Sequence, residues 1–475
     1  MAIRESDRRV VPMKPGNAGG GKACDTDIDF IKDTFSAHRS GTKMETKLIR
    51  IAEMAKANSK ERFISIGHLI NAEALKQCYE GIATGKATGV DGVTKEMYGR
   101  NLEDNVGNLV DRLKKKSYRP LPARRTYIPK DEKSMRPLGI PAYEDKLVQK
   151  ALKNLLEAIY EQDFLDFSYG FRPGRSMHQA LKRLNRIIED GKTRYVVDAD
   201  IKGFFNHVDH EWLKKFLGVR IGDPNIHRLI HRMLKAGIQE DGIFEPTEEG
   251  TPQGSVVSPV LANVYLHYVL DLWFEIAVKK QCRGEAEMVR FADDFVCCFQ
   301  YKEDAKRFYA ALLLRLEKFN LEVAVEKTKI IRFGRYAEEN MEKRGEGKPK
   351  TFDFLGFTHR CGKSRKGNFR VIRETSSKKF KQKVKAFKTW VRQNRHMRTP
   401  ELMKIVRAKL MGHYRYYGMT DNTRKLGAFQ FQVHNLLFKW LNRRGQRHSF
   451  TKEKFLRFLK FSGLPKPKIY VNIYD

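Results

Sequence analysis

The sequence predicts an α+β protein that ends in a basic, all-helical region, and three observations carry this expectation. Between about residues 61 and 372, apolar runs with strand and helix periods alternate irregularly. From Lys378 onward the period is helical throughout, interrupted near Gly412, Gly418 and Gly445. Positive charge concentrates in that same tail. The chain carries 92 Lys and Arg against 57 Asp and Glu, a net +35, and 25 bases against 5 acids fall between Glu374 and Asp475. A surface so charged must be solvated or covered by a polyanion, which makes nucleic acid the default partner.

The elements follow in order. Residues 1–60 are expected to form a mobile basic extension, because Pro15-Gly16-Asn17-Ala18-Gly19-Gly20-Gly21 has no apolar period and high backbone freedom. Leu69, Ala72, Leu75, Cys78 and Ile82 recur at helical spacing and predict a helix over 64–87. A turn at Gly89-Val90-Asp91-Gly92-Val93 and a helix over 102–116 follow. Alternation around Arg125-Thr126-Tyr127-Ile128 predicts a hairpin of strands 124–129 and 136–140. Leu147, Ala151, Leu155 and Ile159 form one stripe of a helix over 143–160. Beyond it, strands are expected at 195–199, 243–246, 288–291, 295–299 and 330–333, and helices at 177–190, 224–236, 259–277 and 303–318.

The six cysteines, Cys24, Cys78, Cys282, Cys297, Cys298 and Cys361, include no C-x-x-C pair. This argues against a zinc ribbon or a disulfide framework and for a reduced, intracellular setting. No signal-peptide pattern and no run of about 18 apolar residues occurs, so the expectation is a soluble protein without a membrane partner.

Two acidic clusters carry the chemistry. In Phe291-Ala292-Asp293-Asp294-Phe295, adjacent carboxylates lie between two strand-like runs and so should occupy a tight hairpin bend. Asp198 and Asp200 end another strand at two-residue spacing and point to one side. Adjacent carboxylates repel unless a cation neutralises them, and hard oxygen ligands suit magnesium. A strand-end acid beside a hairpin bearing two more is the geometry that holds a metal pair about 4 Å apart. Taken singly, each cluster fits a water-facing turn or strand end equally well.

Read together, Asp200-Ile201-Lys202-Gly203-Phe204-Phe205, Gly250-Thr251-Pro252-Gln253-Gly254-Ser255 and Phe291-Ala292-Asp293-Asp294 resemble three consecutive reverse-transcriptase motifs in their expected order. The upstream blocks Arg136-Pro137-Leu138-Gly139-Ile140-Pro141 and Tyr169-Gly170-Phe171-Arg172-Pro173-Gly174-Arg175-Ser176 are similar to the group II intron subfamily. So are Glu326-Lys327-Thr328, Phe354-Leu355-Gly356-Phe357 and Gly412-His413-Tyr414-Arg415-Tyr416-Tyr417-Gly418, the last resembling a thumb or maturase region. The resemblance implies a right-hand polymerase fold. Fingers and palm would span 61–372, and an α-helical thumb or maturase domain, with room for a short DNA-binding end, would span 373–475.

By motif position, the resemblance implies that Asp200, Asp293 and Asp294 hold two Mg2+ ions. It selects Asp200 over Asp198 because Ile201-Lys202-Gly203 follows directly. Lys130 and Arg136 would contact the incoming triphosphate, with Arg124 at the template or nucleotide. Gln253 would lie against sugar and base, and Phe205 beneath the sugar, where an aromatic ring excludes a 2′ hydroxyl; core packing is the other reading of Phe205. Arg172, Arg175, Tyr414, Arg415 and Tyr417 would hold template and primer, since aromatic and basic side chains together grip single strands. A helical stripe of Tyr and Trp fits a core equally well.

Two positions depart from the family pattern: Phe291 replaces the usual Tyr, and Asn206 stands where an acid is frequent. Neither removes a metal ligand. The absence of cysteine after Cys361 argues against a cysteine-rich endonuclease. The implied partners are intron RNA, a DNA primer or target, and deoxynucleoside triphosphates, in a bacterial cytoplasm at the nucleoid, with the oligomeric state open. The implied activity is RNA-directed DNA synthesis with maturase assistance to splicing. The alternatives are a non-catalytic splicing cofactor, or a reverse transcriptase recruited to phage defence or a CRISPR system.

Overall fold

The computed structural model describes residues 43–129, 134–445 and 449–475. Its centre is a four-stranded antiparallel sheet of order β6-β7-β3-β8, built from β3 (Tyr195–Asp200), β6 (Ala286–Phe291), β7 (Asp294–Phe299) and β8 (Lys329–Arg332). Strand alternation sends successive side chains to opposite faces, and both faces are covered. Val197, Ala199, Phe295, Cys297 and Phe299 enter one core, with the helices Tyr143–Tyr160 and Ser258–Leu266. Val196, Val296, Cys298 and Ile331 enter a second, with the helix Met177–Glu189 and the C-terminal helices. Asp198 and Asp200 share the parity of Val196, so they face the C-terminal region.

The hairpin expected from the sequence is β1 (Ala123–Pro129) with β2 (Met135–Ile140), extended by the short strands β4 (Ile238–Glu240) and β5 (Ile243–Glu245) into a sheet of order β2-β1-β4-β5. A third sheet, β9 (Phe352–Phe354), β10 (Phe357–Lys363) and β11 (Phe369–Thr375), was not anticipated. It lies between the palm-like sheet and the helices Ser377–Gln393, Thr399–Tyr417, Thr423–Leu441 and Lys452–Phe461. Those helices close around Val391, Leu402, Val406, Leu410, Leu426, Val433 and Leu437, all but inaccessible to water. Among the described residues, no helix is long and apolar enough to cross a membrane.

Three expectations are corrected. Residues 43–57 of the extension form the helix Lys43–Ala57, whose Met44, Leu48, Ile51, Ala52 and Ala55 are buried in the core that also contains Tyr143–Tyr160; residues 1–42 lie outside the described residues. The helix expected over 64–87 shrinks to Ala72–Glu80 behind a single 3-10 turn, Gly67–Leu69. Asn71 interrupts it by accepting the Ala74 amide (3.1 Å) as an N-cap. The helix expected over 259–277 is α-helical only for Ser258–Leu266 and then continues through two π-helical stretches, His267–Asp271 and Phe274–Val278.

The first π stretch carries Asp271 into full burial against Arg290 of β6. Arg290 donates from Nε to Asp271 Oδ1 (2.7 Å) and from Nη2 to Oδ2 (2.5 Å), with both side chains shut from solvent. Its Nη1 donates to Asn263 Oδ1 (3.1 Å) and to the Ala292 carbonyl (2.9 Å), while Asn263 Nδ2 donates to the Gly170 carbonyl (2.8 Å). Removing one partner of such a pair strands a buried charge. Asp271→Ala should therefore lower unfolding free energy by about 3–5 kcal/mol in urea titrations. A loss below about 1 kcal/mol would mean that Arg290 finds another counter-charge.

Candidate active site

The candidate site is assembled where β3 ends beside the β6–β7 bend. Phe291 pairs with Asp294, so Ala292 and Asp293 alone make the turn, and Ala292 takes a left-handed φ of 59°. Non-glycine residues adopt that conformation at a cost, and here Arg290 grips the Ala292 carbonyl. Gly170 presses on the same turn: a Cβ at Gly170 would lie 2.1 Å from the Ala292 nitrogen, which excludes every other residue. Asp200 is the cross-strand partner of Asp294, bringing the two acids and the Asp293 bend to one sheet edge.

The other side of Asp200 is held by the segment before β8. The Ala324 amide donates to the Asp200 carbonyl (2.8 Å), the Lys202 amide donates to the Glu322 carbonyl (2.8 Å), and Lys327 Nζ ion-pairs with Asp200 Oδ2 at 2.5 Å. The acids disturb one another. Withdrawal from bulk water, then Asp293 and Asp200, raises the Asp294 carboxyl to about 6. Asp294 still opens onto the cleft, so water screens this shift and its direction is what matters. Burial, then Asp294, Asp353 and Asp200, raises Asp198 to about 7. Asp293 is raised as well, by burial and by Asp200, against the pull of Arg136 and Arg290.

This is a donor set that fits divalent cations: hard oxygens whose mutual repulsion a cation relieves, one of them already capped by an ammonium. Among the described residues, no three His, Cys, Asp or Glu side chains are gathered closely enough to coordinate one ion as they stand. A metal at Asp200 would have to replace Lys327, and the acids would have to close by rotamer change.

Between the β1–β2 hairpin and the segments 205–206 and 245–253 lies a cavity of about 270 Å³ whose lining includes Phe205, Asn206, Leu138, Gly139, Thr251 and Gln253. Gln253 Oε1 is buried there without a hydrogen-bond partner, while its carbonyl accepts the Gly139 amide at 2.6 Å. Gly254 has φ 105°, and a Cβ on it would come within 2.7 Å of the Gly139 carbonyl oxygen, so the turn needs glycine. Phe205 is half-buried and meets Phe171 edge-on, with ring centroids 6.2 Å apart. Arg136 is exposed on β2 and its charge reaches Asp293. Lys130 lies outside the described residues.

Several proposed nucleic-acid contacts are structural instead. Arg172 is buried, paired with Glu161 (2.9 Å), and donates to the Leu165 and Ser168 carbonyls (2.8 Å each). Arg124 spends its Nε and Nη2 on the Thr88 carbonyl. Arg175 pairs with Asp166 (3.0 Å) and covers the Tyr169 ring. Tyr414 and Tyr417 are buried in the helical core, whereas Arg415 is exposed as expected. Tyr416, one of the tail aromatics expected to grip single strands, instead faces Asp294 from the helix Thr399–Tyr417, as does Lys379, to which the sequence assigns no role, from Ser377–Gln393. Nor does the sequence assign roles to Lys327 and Phe171. A basic residue three positions after Ala324 was the available signal for Lys327.

A palm-type sheet with paired acids at one edge, flanked by a fingers hairpin, defines a template-directed nucleotidyl-transfer fold. Residues 128–359 match the family described as reverse transcriptase (RNA-dependent DNA polymerase). The chain is 39% identical over 231 residues to the "Group II intron-encoded protein LtrA" of Lactococcus lactis subsp. cremoris, covering 47% of this chain and 38% of that protein. It is 39% identical over 236 residues to "Protein YkfC" of Escherichia coli K12 (44% of this chain, 62% of that protein) and 27% identical over 158 residues to "Nuclear intron maturase 4, mitochondrial" of Arabidopsis thaliana (32% and 19%). Residues 128–359 thus match a reverse transcriptase domain, and the chain spans less than half the length of the Lactococcus protein.

The raised acid has a stability signature. The folded carboxyl of Asp294 titrates above the roughly 3.9 of an unfolded aspartate, so its ionised form opposes folding at high pH. That penalty is full above the folded value and fades as pH falls through about 6. In chelator-treated protein, Asp294→Asn should raise the urea midpoint at pH 8 and raise it about half as much at pH 5. An equal effect at both pH values would remove charge repulsion as the cause.

Proposed function

We propose that this chain is an RNA-directed DNA polymerase that copies the RNA of a group II intron and, as a maturase, assists that RNA to splice. The observation that carries the reading is Asp200 facing Asp294 across β3 and β7 with Asp293 at the adjoining bend. In this reading residues 61–372 are fingers and palm, and 373–475 are the thumb or maturase domain. The substrates are deoxynucleoside triphosphates, an intron RNA template and a DNA primer, within a bacterial cytoplasm.

Asp200, Asp293 and Asp294 would hold two Mg2+ ions, which when bound lower the pKa of the primer 3′ hydroxyl and shield charge on the α-phosphate. Arg136, exposed on the fingers hairpin, meets the triphosphate with a planar fork of donors, and Lys130 adds a point charge. Gln253 lines the cavity and its Oε1 is buried without a hydrogen-bond partner, an acceptor that a rotamer change would offer to the sugar or base. Phe205, wedged against Phe171, sets the floor beneath the sugar and excludes a 2′ hydroxyl. No side chain acts as a nucleophile. All three acids are retained, which disfavours the non-catalytic splicing cofactor.

Primer extension on an RNA template with Mg2+ tests this. Asp293→Ala and Asp200→Asn should each cost about 4 kcal/mol of transition-state stabilisation, roughly 10³-fold in rate. Wild-type protein that binds RNA but extends no primer would leave only the splicing-cofactor reading. Phe205→Val should raise ribonucleotide incorporation about tenfold relative to deoxynucleotide, measured as a ratio of kcat/KM values. An unchanged ratio would return Phe205 to core packing.

A further inference from the structure

At the opposite end of β3 from Asp200, the palm sheet ends in a second concave site. The cavity, of about 360 Å³, is lined by Arg194, Arg283, Arg344, Lys302, Tyr301 and Tyr336, among others. It is anchored by Tyr195, the first residue of β3, whose cross-strand partner is Arg332. The six-residue strand from Tyr195 to Asp200 separates it from the carboxylates by about 17 Å.

Its charge is unbalanced. Arg332 is neutralised by Glu346 (2.9 Å) and Glu303 by Lys306 (3.3 Å). Arg194, Arg283, Arg344 and Lys302 form no ion pair with any described residue. Two of these guanidiniums lie on aromatic faces instead: Arg194 is 5.5 Å from the Tyr336 centroid and Arg283 is 5.7 Å from that of Tyr301. Both tyrosines are substantially exposed, 48% and 40%. Exposed rings backed by cations, around a hollow of ligand size whose lining acid Glu303 is already paired with Lys306, are built to receive a flat π-system bearing a phosphate.

We propose that this cavity takes a nucleotide of a single-stranded RNA segment, its base stacked on Tyr301 or Tyr336 and its flanking phosphates held by Arg283, Arg344 and Arg194. RNA is favoured over a free nucleotide because the rings are open to solvent on one side, as a strand passing through requires. The site is separate from the primer end, so it anchors RNA and contributes nothing to the transfer step. The inference rests on the proposed reading of the chain as an RNA-binding polymerase.

The test uses the full chain and a single-stranded oligoribonucleotide carrying 4-thiouridine. Ultraviolet crosslinks should map to peptides containing Tyr301 or Tyr336. The double variant Arg283→Glu, Arg344→Glu should weaken RNA binding about tenfold near 0.1 M salt and make the log-log salt dependence shallower by about two. Its kcat on saturating pre-annealed primer and template should match wild type, which also certifies folding. Crosslinks confined to other peptides, or affinity and salt slope equal to wild type, would overturn the proposal. Suppression of these crosslinks by micromolar adenosine monophosphate added before irradiation would also overturn it, making the cavity a free-nucleotide site. If the wild type extends no primer, the polymerase reading fails while the crosslinks still decide the cavity, and circular dichroism then replaces kcat as the folding control.

Discussion

A guanidinium buried at the base of a hairpin governs the geometry described above. Arg290 is wholly removed from water, and among the described residues only Asp271 pairs with its charge; its Nη1 donates to Asn263 and to the carbonyl of Ala292. The energetic stakes of a buried charge are high enough that these elements hold one arrangement. That arrangement fixes three things at once: the left-handed Ala292 turn bearing Asp293, the 168–171 loop through Asn263 and Gly170, and the π-helical detour that delivers Asp271. The site is rigid where its backbone must be rigid, and the acids themselves are left to move.

That freedom matters because the carboxylates are mutually destabilising. Burial and neighbouring charge raise Asp198, Asp293 and Asp294, and among the described residues only Asp200 of these acids is in direct ion-pair contact with an ammonium, that of Lys327. A site that holds like charges together in the fold has stored the driving force for taking up cations. Lys327, Lys379 and Tyr416 approach this edge from three separate segments, so the helical region is electrically coupled to the palm edge.

The C-terminal helices show how basic character and structural duty share one segment. Tyr414 and Tyr417 build the core, and Trp440 is half-buried beneath Arg392, Arg395, Lys439 and Arg443, each within 6 Å of its ring. Aromatic rings fill the interior and cations cover their edges. The positive charge is therefore displayed on a well-packed scaffold, and Arg415 and Tyr416 remain at its surface.

Periodicity and turn chemistry wrote much of the fold directly into the chain. The hairpin of β1 and β2, the helix Tyr143–Tyr160 and the strands around Asp200 and Asp294 were all legible, because each depends on local alternation and local apolar stripes. Motif order was enough to single out Asp200, Asp293 and Asp294. Whether Arg172 grips a ligand or Glu161, and whether Tyr414 stacks on a base or on its own core, depends on residues far away in sequence that only folding brings near. The same holds for the third sheet, for Lys327 on Asp200, and for the arginine-lined hollow at the far end of β3. A side chain's type is local information, but its desolvation and its counter-charge are properties of the assembled interior.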